Sequence, residues 1–127
     1  MLVEDNATDV FLVREALDYH KVDAKLTCHR DGEEMLRYIE QIDAAAVPCP
    51  DVILLDLNLP RHNGKAILAR MRKSPVCGDV PIVIVTSSQA EEDRADTARL
   101  GATRYFHKSI DYDEAMSLGA VILDVVR

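Results

Sequence analysis

The chain has 127 residues, of which 48% are hydrophobic and 29% charged, and its formal net charge is -7. That length suits one domain with one core, and the acidic balance argues against nucleic acid as a direct partner. No apolar run approaches the ~20 residues of a membrane helix and no signal-peptide layout opens the chain, so a cytoplasmic protein is expected. Cys28, Cys49 and Cys77 are odd in number and form no CxxC pair. They read as free thiols in a reducing compartment, not as a disulfide framework or a zinc site.

Met1 to Glu4 reads as the end of a strand that breaks at Asp5-Asn6, and a helix is predicted from about residue 7 to 20, with Val10, Val13 and Leu17 at helical spacing. Ala24 to Arg30 alternates weakly, as a strand near a sheet edge does. Asp31 is a good N-cap with Glu34 three residues on, and Met35, Leu36, Ile39 and Ile42 mark one face of the helix that follows. Residues 44–50 form a loop with two prolines. Val52 to Leu55 is then an unbroken apolar run, as in a parallel strand buried on both sides, and it ends on Asp56.

Arg61 to Gly64 is predicted to be loop, with a short helix through Ile67, Leu68 and Met71. The basic residues Lys65, Arg70, Arg72 and Lys73 of that helix read as a solvated face. Ile82 to Val85 is a second buried strand ending in Thr86-Ser87-Ser88, and a helix from Ala90 to Leu100 stops at Gly101, a C-cap position. That helix offers mostly alanine for core contact. Thr103 to His107 is a fifth strand, followed by Lys108, and one last helix is predicted from about Asp111 onward. Strand and helix thus alternate five times over short connections, which predicts an α/β fold: a doubly wound, five-stranded parallel sheet covered by helices on both faces.

In such a sheet the C-terminal strand ends share one edge. That edge carries Glu4-Asp5, Asp56, Thr86-Ser87 and Lys108. With the first strand central and the third beside it, the acids meet at the topological switch point. Three converging carboxylates invite a hard cation with oxygen ligands, and magnesium fits best because it keeps waters for a phosphate. One Asp56 oxygen is then left as a nucleophile toward phosphorus. The alternative for Asp56 alone is a turn cap at a strand end.

These residues, in this order, resemble the receiver domains of two-component response regulators over essentially the whole chain, 1–127. The matching segments are Val3-Glu4-Asp5-Asn6, Leu55-Asp56-Leu57-Asn58-Leu59-Pro60 with Gly64, Val85-Thr86-Ser87, and Gly101-Ala102 leading to Tyr105 and Lys108. The resemblance implies the flavodoxin-like strand order 2-1-3-4-5, a sensor histidine kinase as phosphoryl donor and Asp56 as phosphoacceptor. It also implies magnesium on Asp5, Asp56 and the Asn58 carbonyl with Glu4 acting through water, and Lys108 on the phosphoryl group. Thr86, flanked by Ser87, and Tyr105 would form the switch. Ser109 stands where the family usually has proline, and Glu4 where aspartate is common.

The Asn-Leu-Pro-Arg-His-Asn-Gly stretch and Lys108-Ser109 resemble stand-alone receivers associated with bacterial phytochrome kinases. The partner is then a protein, either a downstream target or a phosphorelay member. Met116, Ala120 and Leu123 lie on one side of the last helix and Leu118, Val121 and Val125 on the other. That two-sided apolar character predicts a homodimer through this helix, and no output domain is expected after Arg127. His62 and His107 are expected outside the pocket. Two other readings stay open. One is a haloacid-dehalogenase-type phosphatase, which usually has a second acid where this chain has Asn58. The other is a receiver fold that only binds.

Overall fold

The computed structural model describes residues 1–22, 24–59, 63–108 and 111–126. Strands β1 (Leu2–Val3), β2 (Cys28–His29), β3 (Ile53–Leu55), β4 (Ile82–Thr86) and β5 (Arg104–His107) alternate with helices. The helices are α1 (Ala7–Tyr19), α2 (Gly32–Asp43), α3 (Gly64–Arg72), α4 (Glu91–Arg99), α5 (Tyr112–Met116) and α6 (Leu118–Val125). The strands make one parallel sheet in the order β2-β1-β3-β4-β5, as the resemblance implies.

Side chains alternate across a strand, and here both sides are covered. Val3, Ile53, Leu55, Ile82 and Ile84 pack with Met35, Ile39 and Ile42 of α2 and with Ile67, Leu68 and Met71 of α3. Leu2, Leu54, Val83 and Val85 face the other way, onto Val13, Ala16 and Leu17 of α1, Met116 of α5, and Leu118 and Ile122 of α6. The unbroken apolar runs of β3 and β4 follow, since these strands have no solvent side. Burying each such side chain stabilises the fold by about 1.5–3 kcal/mol, so two helical layers hold the strand ends in place.

Four of the helices, α1, α2, α3 and α5, start at side-chain caps. Asn6 accepts from the Thr8 and Asp9 N–H groups at 2.9 and 3.2 Å, and Asp31 accepts from the Glu34 N–H at 2.8 Å, as predicted. Asn63 and Asp111 do the same for Ala66 and Glu114 at 2.8 and 3.0 Å. Gly101 leaves α4 with φ 98°, the left-handed conformation in which glycine carries no Cβ penalty.

Three expectations are corrected. The basic stretch of α3 is not a solvated face. Lys65 bridges Asp93 and Asp96 of α4 at 2.7 and 2.9 Å, and Arg70 pairs with Asp43 at 2.7 Å. Arg72 donates to the carbonyls of Gly101, Gly78 and Val80 at 2.9, 2.9 and 2.6 Å. Long side chains were needed here because short loops end nearby with carbonyls left to satisfy. Next, α4 does not seat itself through alanine: Ala95 and Ala98 are exposed, and its one buried residue is Thr97, whose hydroxyl donates back to the Asp93 carbonyl at 2.8 Å. Last, the C-terminal segment is two helices. Ser117 separates them, its hydroxyl donating to the Glu114 carbonyl, which competes with the helical ladder. The inward set is therefore Ala115, Met116, Leu118, Gly119 and Ile122, which differs from the predicted division into two faces, and Ala120 is exposed.

Candidate phosphorylation and metal site

Strand register assembles the site. Val3 pairs with Leu55, so Glu4 and Asp56 leave the sheet side by side, and the Asp56 N–H donates to the Val3 carbonyl at 3.1 Å. Thr86 pairs with His107, which delivers Lys108 one residue later, its N–H on the Thr86 carbonyl at 2.8 Å. Gly64 lets the start of α3 close on the loop after β3. Its N–H donates to the Leu57 carbonyl at 2.9 Å. A Cβ at position 64 would lie 2.4 Å from the Asp56 carbonyl oxygen and 2.7 Å from Leu57 Cα, closer than any side chain tolerates.

Glu4 and Asp56 are buried, 2% and 5% exposed, while Asp5 is open to solvent. One carboxylate oxygen from each lies within 4.8 Å of the others. Lys108 reaches into the group: its Nζ donates to Glu4 Oε2 at 2.7 Å, Asp9 Oδ2 at 2.8 Å and Asp56 Oδ2 at 3.1 Å. Burial raises the Glu4 carboxyl to about 7, with the Asp56 charge adding and Lys108 opposing. Burial alone would lower the Lys108 ammonium, but the bonds from Asp9 and Glu4 and the Asp56 charge outweigh it and hold it above its ordinary range.

Such a set of hard oxygens, one of them solvent-facing, fits a divalent cation that keeps part of its water shell. With Glu4, Asp5, Asp9 and Asp56 all ionised, the one ammonium leaves the assembly at three negative charges, which a cation would offset.

The remaining predicted residues surround this centre in different ways. The Asn58 N–H donates to Asp56 Oδ1 at 3.2 Å, with its side chain exposed. Thr86 is fully buried, its hydroxyl accepting from the Ser88 N–H at 3.3 Å. Tyr105 is half-buried: its hydroxyl donates to the Ser88 carbonyl at 2.9 Å, and the Arg94 guanidinium of α4 sits 4.5 Å from its ring centre. Ser87 is exposed, and its carbonyl lies 3.1 Å from His107 Nε2, which turns His107 to this loop and away from the acids. Pro60, Arg61, His62 and Ser109 lie outside the described residues, and with them the placement of His62 and the peptide geometry after Lys108.

Two contributors were missed from the sequence. Asp9 lies on the first turn of α1, which brings it to Lys108, and its spacing from the Glu4-Asp5 pair carries no signal of that contact. Ser88 anchors Tyr105 through its carbonyl and Asp93 through its hydroxyl. A backbone acceptor carries no sequence signal.

The family profile of the response regulator receiver domain matches residues 1–118. The chain belongs to this family: it is a receiver of two-component signalling, phosphorylated on an aspartate, and its partner class is a histidine kinase. It is 36% identical over 110 residues to Response regulator Rcp1 of Synechocystis sp., an alignment that covers 86% of this chain and 75% of Rcp1. Among solved structures, the phosphorylated cyanobacterial phytochrome response regulator RcpA superposes with a TM-score of 0.85 at 34% identity, covering 97% of this chain and 89% of that one. The Mn(2+)-bound form of Rcp1 gives 0.83 at 33% identity, covering 95% and 88%. The bacteriophytochrome response regulator RtBRR gives 0.78 at 34%, covering 96% and 75%. No helix among the described residues is long and apolar enough to cross a membrane.

Proposed function

We propose that Asp56 is the phosphoacceptor and that Glu4, Asp5 and Lys108 prepare it. The observation that carries this reading is the placement of a buried acid within 4.8 Å of two others and 3.1 Å from a lysine ammonium. Magnesium is the cation we assign, held by Asp5, Asp56 and the Asn58 carbonyl, with Glu4 acting through water. Bound there, it would neutralise charge on the phosphoryl oxygens and align the incoming group.

The protein's own part is positional. The Val3–Leu55 pairing and the Asn58 N–H fix the Asp56 carboxylate. One of its oxygens attacks the phosphorus of a phosphohistidine, the P–N bond breaks, and the imidazole leaves with a proton from solvent. Lys108 donates to a phosphoryl oxygen, and the Thr86 hydroxyl turns toward another. Ser87 follows Thr86 into the loop that carries Ser88. Movement of that loop would loosen the Tyr105–Ser88 bond, so Tyr105 and α4 report the charge at Asp56 on the surface.

We further assign a phytochrome-type sensor kinase as donor, supported by the likeness to RcpA, Rcp1 and RtBRR, and a downstream protein or phosphotransfer partner as the receiver of the signal. The whole of 1–127 is read as one receiver domain, because α6 packs on the same core as α1. A cytoplasmic setting suits the three free thiols. A homodimer through the C-terminal helices is supported by exposed Tyr112, Ala120 and Val126 on that segment.

Incubation with acetyl phosphate and Mg2+ tests the central assignment by intact mass. The chain is expected to gain one phosphoryl group, Asp56→Asn to gain none, and the chain without cation to gain roughly a tenth as much or less. A full gain in Asp56→Asn would move the acceptor elsewhere.

A further inference from the structure

The Lys108 ammonium has three N–H donors, and three carboxylates take them: Glu4 at 2.7 Å, Asp9 at 2.8 Å and Asp56 at 3.1 Å. Glu4 and Asp56 belong, with Asp5, to the oxygen cluster that suits a divalent cation. Asp9 does not. It stands on the first turn of α1, and its side chain is only 26% exposed.

A cation entering the cluster draws on the oxygens that Lys108 already holds, and its charge repels an ammonium bound to them. Lys108 must therefore loosen its contacts with Glu4 and Asp56. An ammonium left without acceptors in a half-buried place is costly, so the cation's affinity depends on what else Lys108 can hold. Asp9 is already in contact. A cavity of about 40 Å³ lined by Asp9 and Lys108, with Leu12, Val13, Val85 and Phe106 among its walls, gives the lysine stem room to shift.

Resting on the reading of Glu4, Asp5 and Asp56 as a cation site, we propose that Asp9 is a positioning residue. It holds the Lys108 ammonium while a divalent cation occupies the acids, so cation and lysine do not compete for the same carboxylates. Asp9 also sits favourably at a helix N-terminus, and that structural role would persist without Lys108. The two roles are therefore separable.

The test is a double-mutant cycle on Mg2+ affinity, read by titration calorimetry on the chain, Asp9→Asn, Lys108→Met and the double variant. Asp9→Asn is expected to weaken Mg2+ binding roughly fivefold, because Lys108 falls back on Glu4 and Asp56. In the Lys108→Met background the same change should alter affinity less than about twofold. An equal effect in both backgrounds, or none in either, would overturn the inference while leaving the cation site standing. Absence of Mg2+ binding by the unmodified chain would overturn the cation site and the inference together. Thermal unfolding of each variant checks the fold, and Asp9→Ser replaces Asp9→Asn in the cycle should the asparagine variant not fold.

Discussion

At Glu4 the environment changes the chemistry of a site residue. Its carboxyl is raised to about 7 by burial, from an ordinary 4.5. Between those two pH values the folded chain holds a proton that the unfolded chain has released. The contribution of Glu4 to stability is therefore greatest below the window and is lost as pH rises through it. A bound cation acts in the opposite sense, because it needs the ionised form. Mg2+ affinity should accordingly rise between about pH 5.5 and 7.5. Calorimetry at pH 6 in two buffers of different ionisation enthalpy should show close to one proton released per cation, and none in Glu4→Gln. Equal heats in both buffers would contradict this. Asp56 was legible in the sequence because a carboxylate ends an apolar run, whereas Asp9 was not. The periodicity of α1 draws attention to its apolar face, and only the fold shows that Lys108, far along the chain, ends its reach there.

Among the helices, α4 is held least by its core, and polar contacts tether it. Thr97 is its one buried residue, while Lys65 grips Asp93 and Asp96, Arg94 covers Tyr105 and Ser88 Oγ donates to Asp93. Weak apolar anchoring combined with polar tethers suits an element that shifts when the loop after β4 moves. Lys65→Met removes the bridge to α3 and leaves the sheet core intact. Amide exchange in α4 should quicken by roughly two- to fivefold, with the strands unchanged. Unchanged exchange in α4 would mean that the ion pairs do not hold it. The sparse apolar content of α4 was visible in its sequence. Its tethers were not, because Lys65 and Arg72 look like any surface cations until the facing carboxylates and carbonyls are in place.

At the scale of the whole molecule, five strand–helix alternations and the two fully apolar strands made the layered parallel sheet legible. The break at Ser117 was not, since the apolar pattern runs through it and a local hydroxyl–carbonyl bond decides the matter. That break also sets which side of the C-terminal segment stays outside. The proposed dimer through this segment predicts a concentration-dependent sedimentation coefficient at micromolar protein. Val126→Asp would shift the equilibrium toward monomer, and a monomer with and without acetyl phosphate would contradict the dimer.

The residue that receives the phosphoryl group decides the role of every other residue in the site. Acyl phosphates are reduced by borohydride, so the residue that carried the group can be trapped and found by peptide mass mapping after treatment with acetyl phosphate and Mg2+. A single reduced position is expected, residue 56, lost when the cation is chelated beforehand. Reduction at Asp5, at another acid or at no residue in a chain that has gained phosphoryl mass would contradict it.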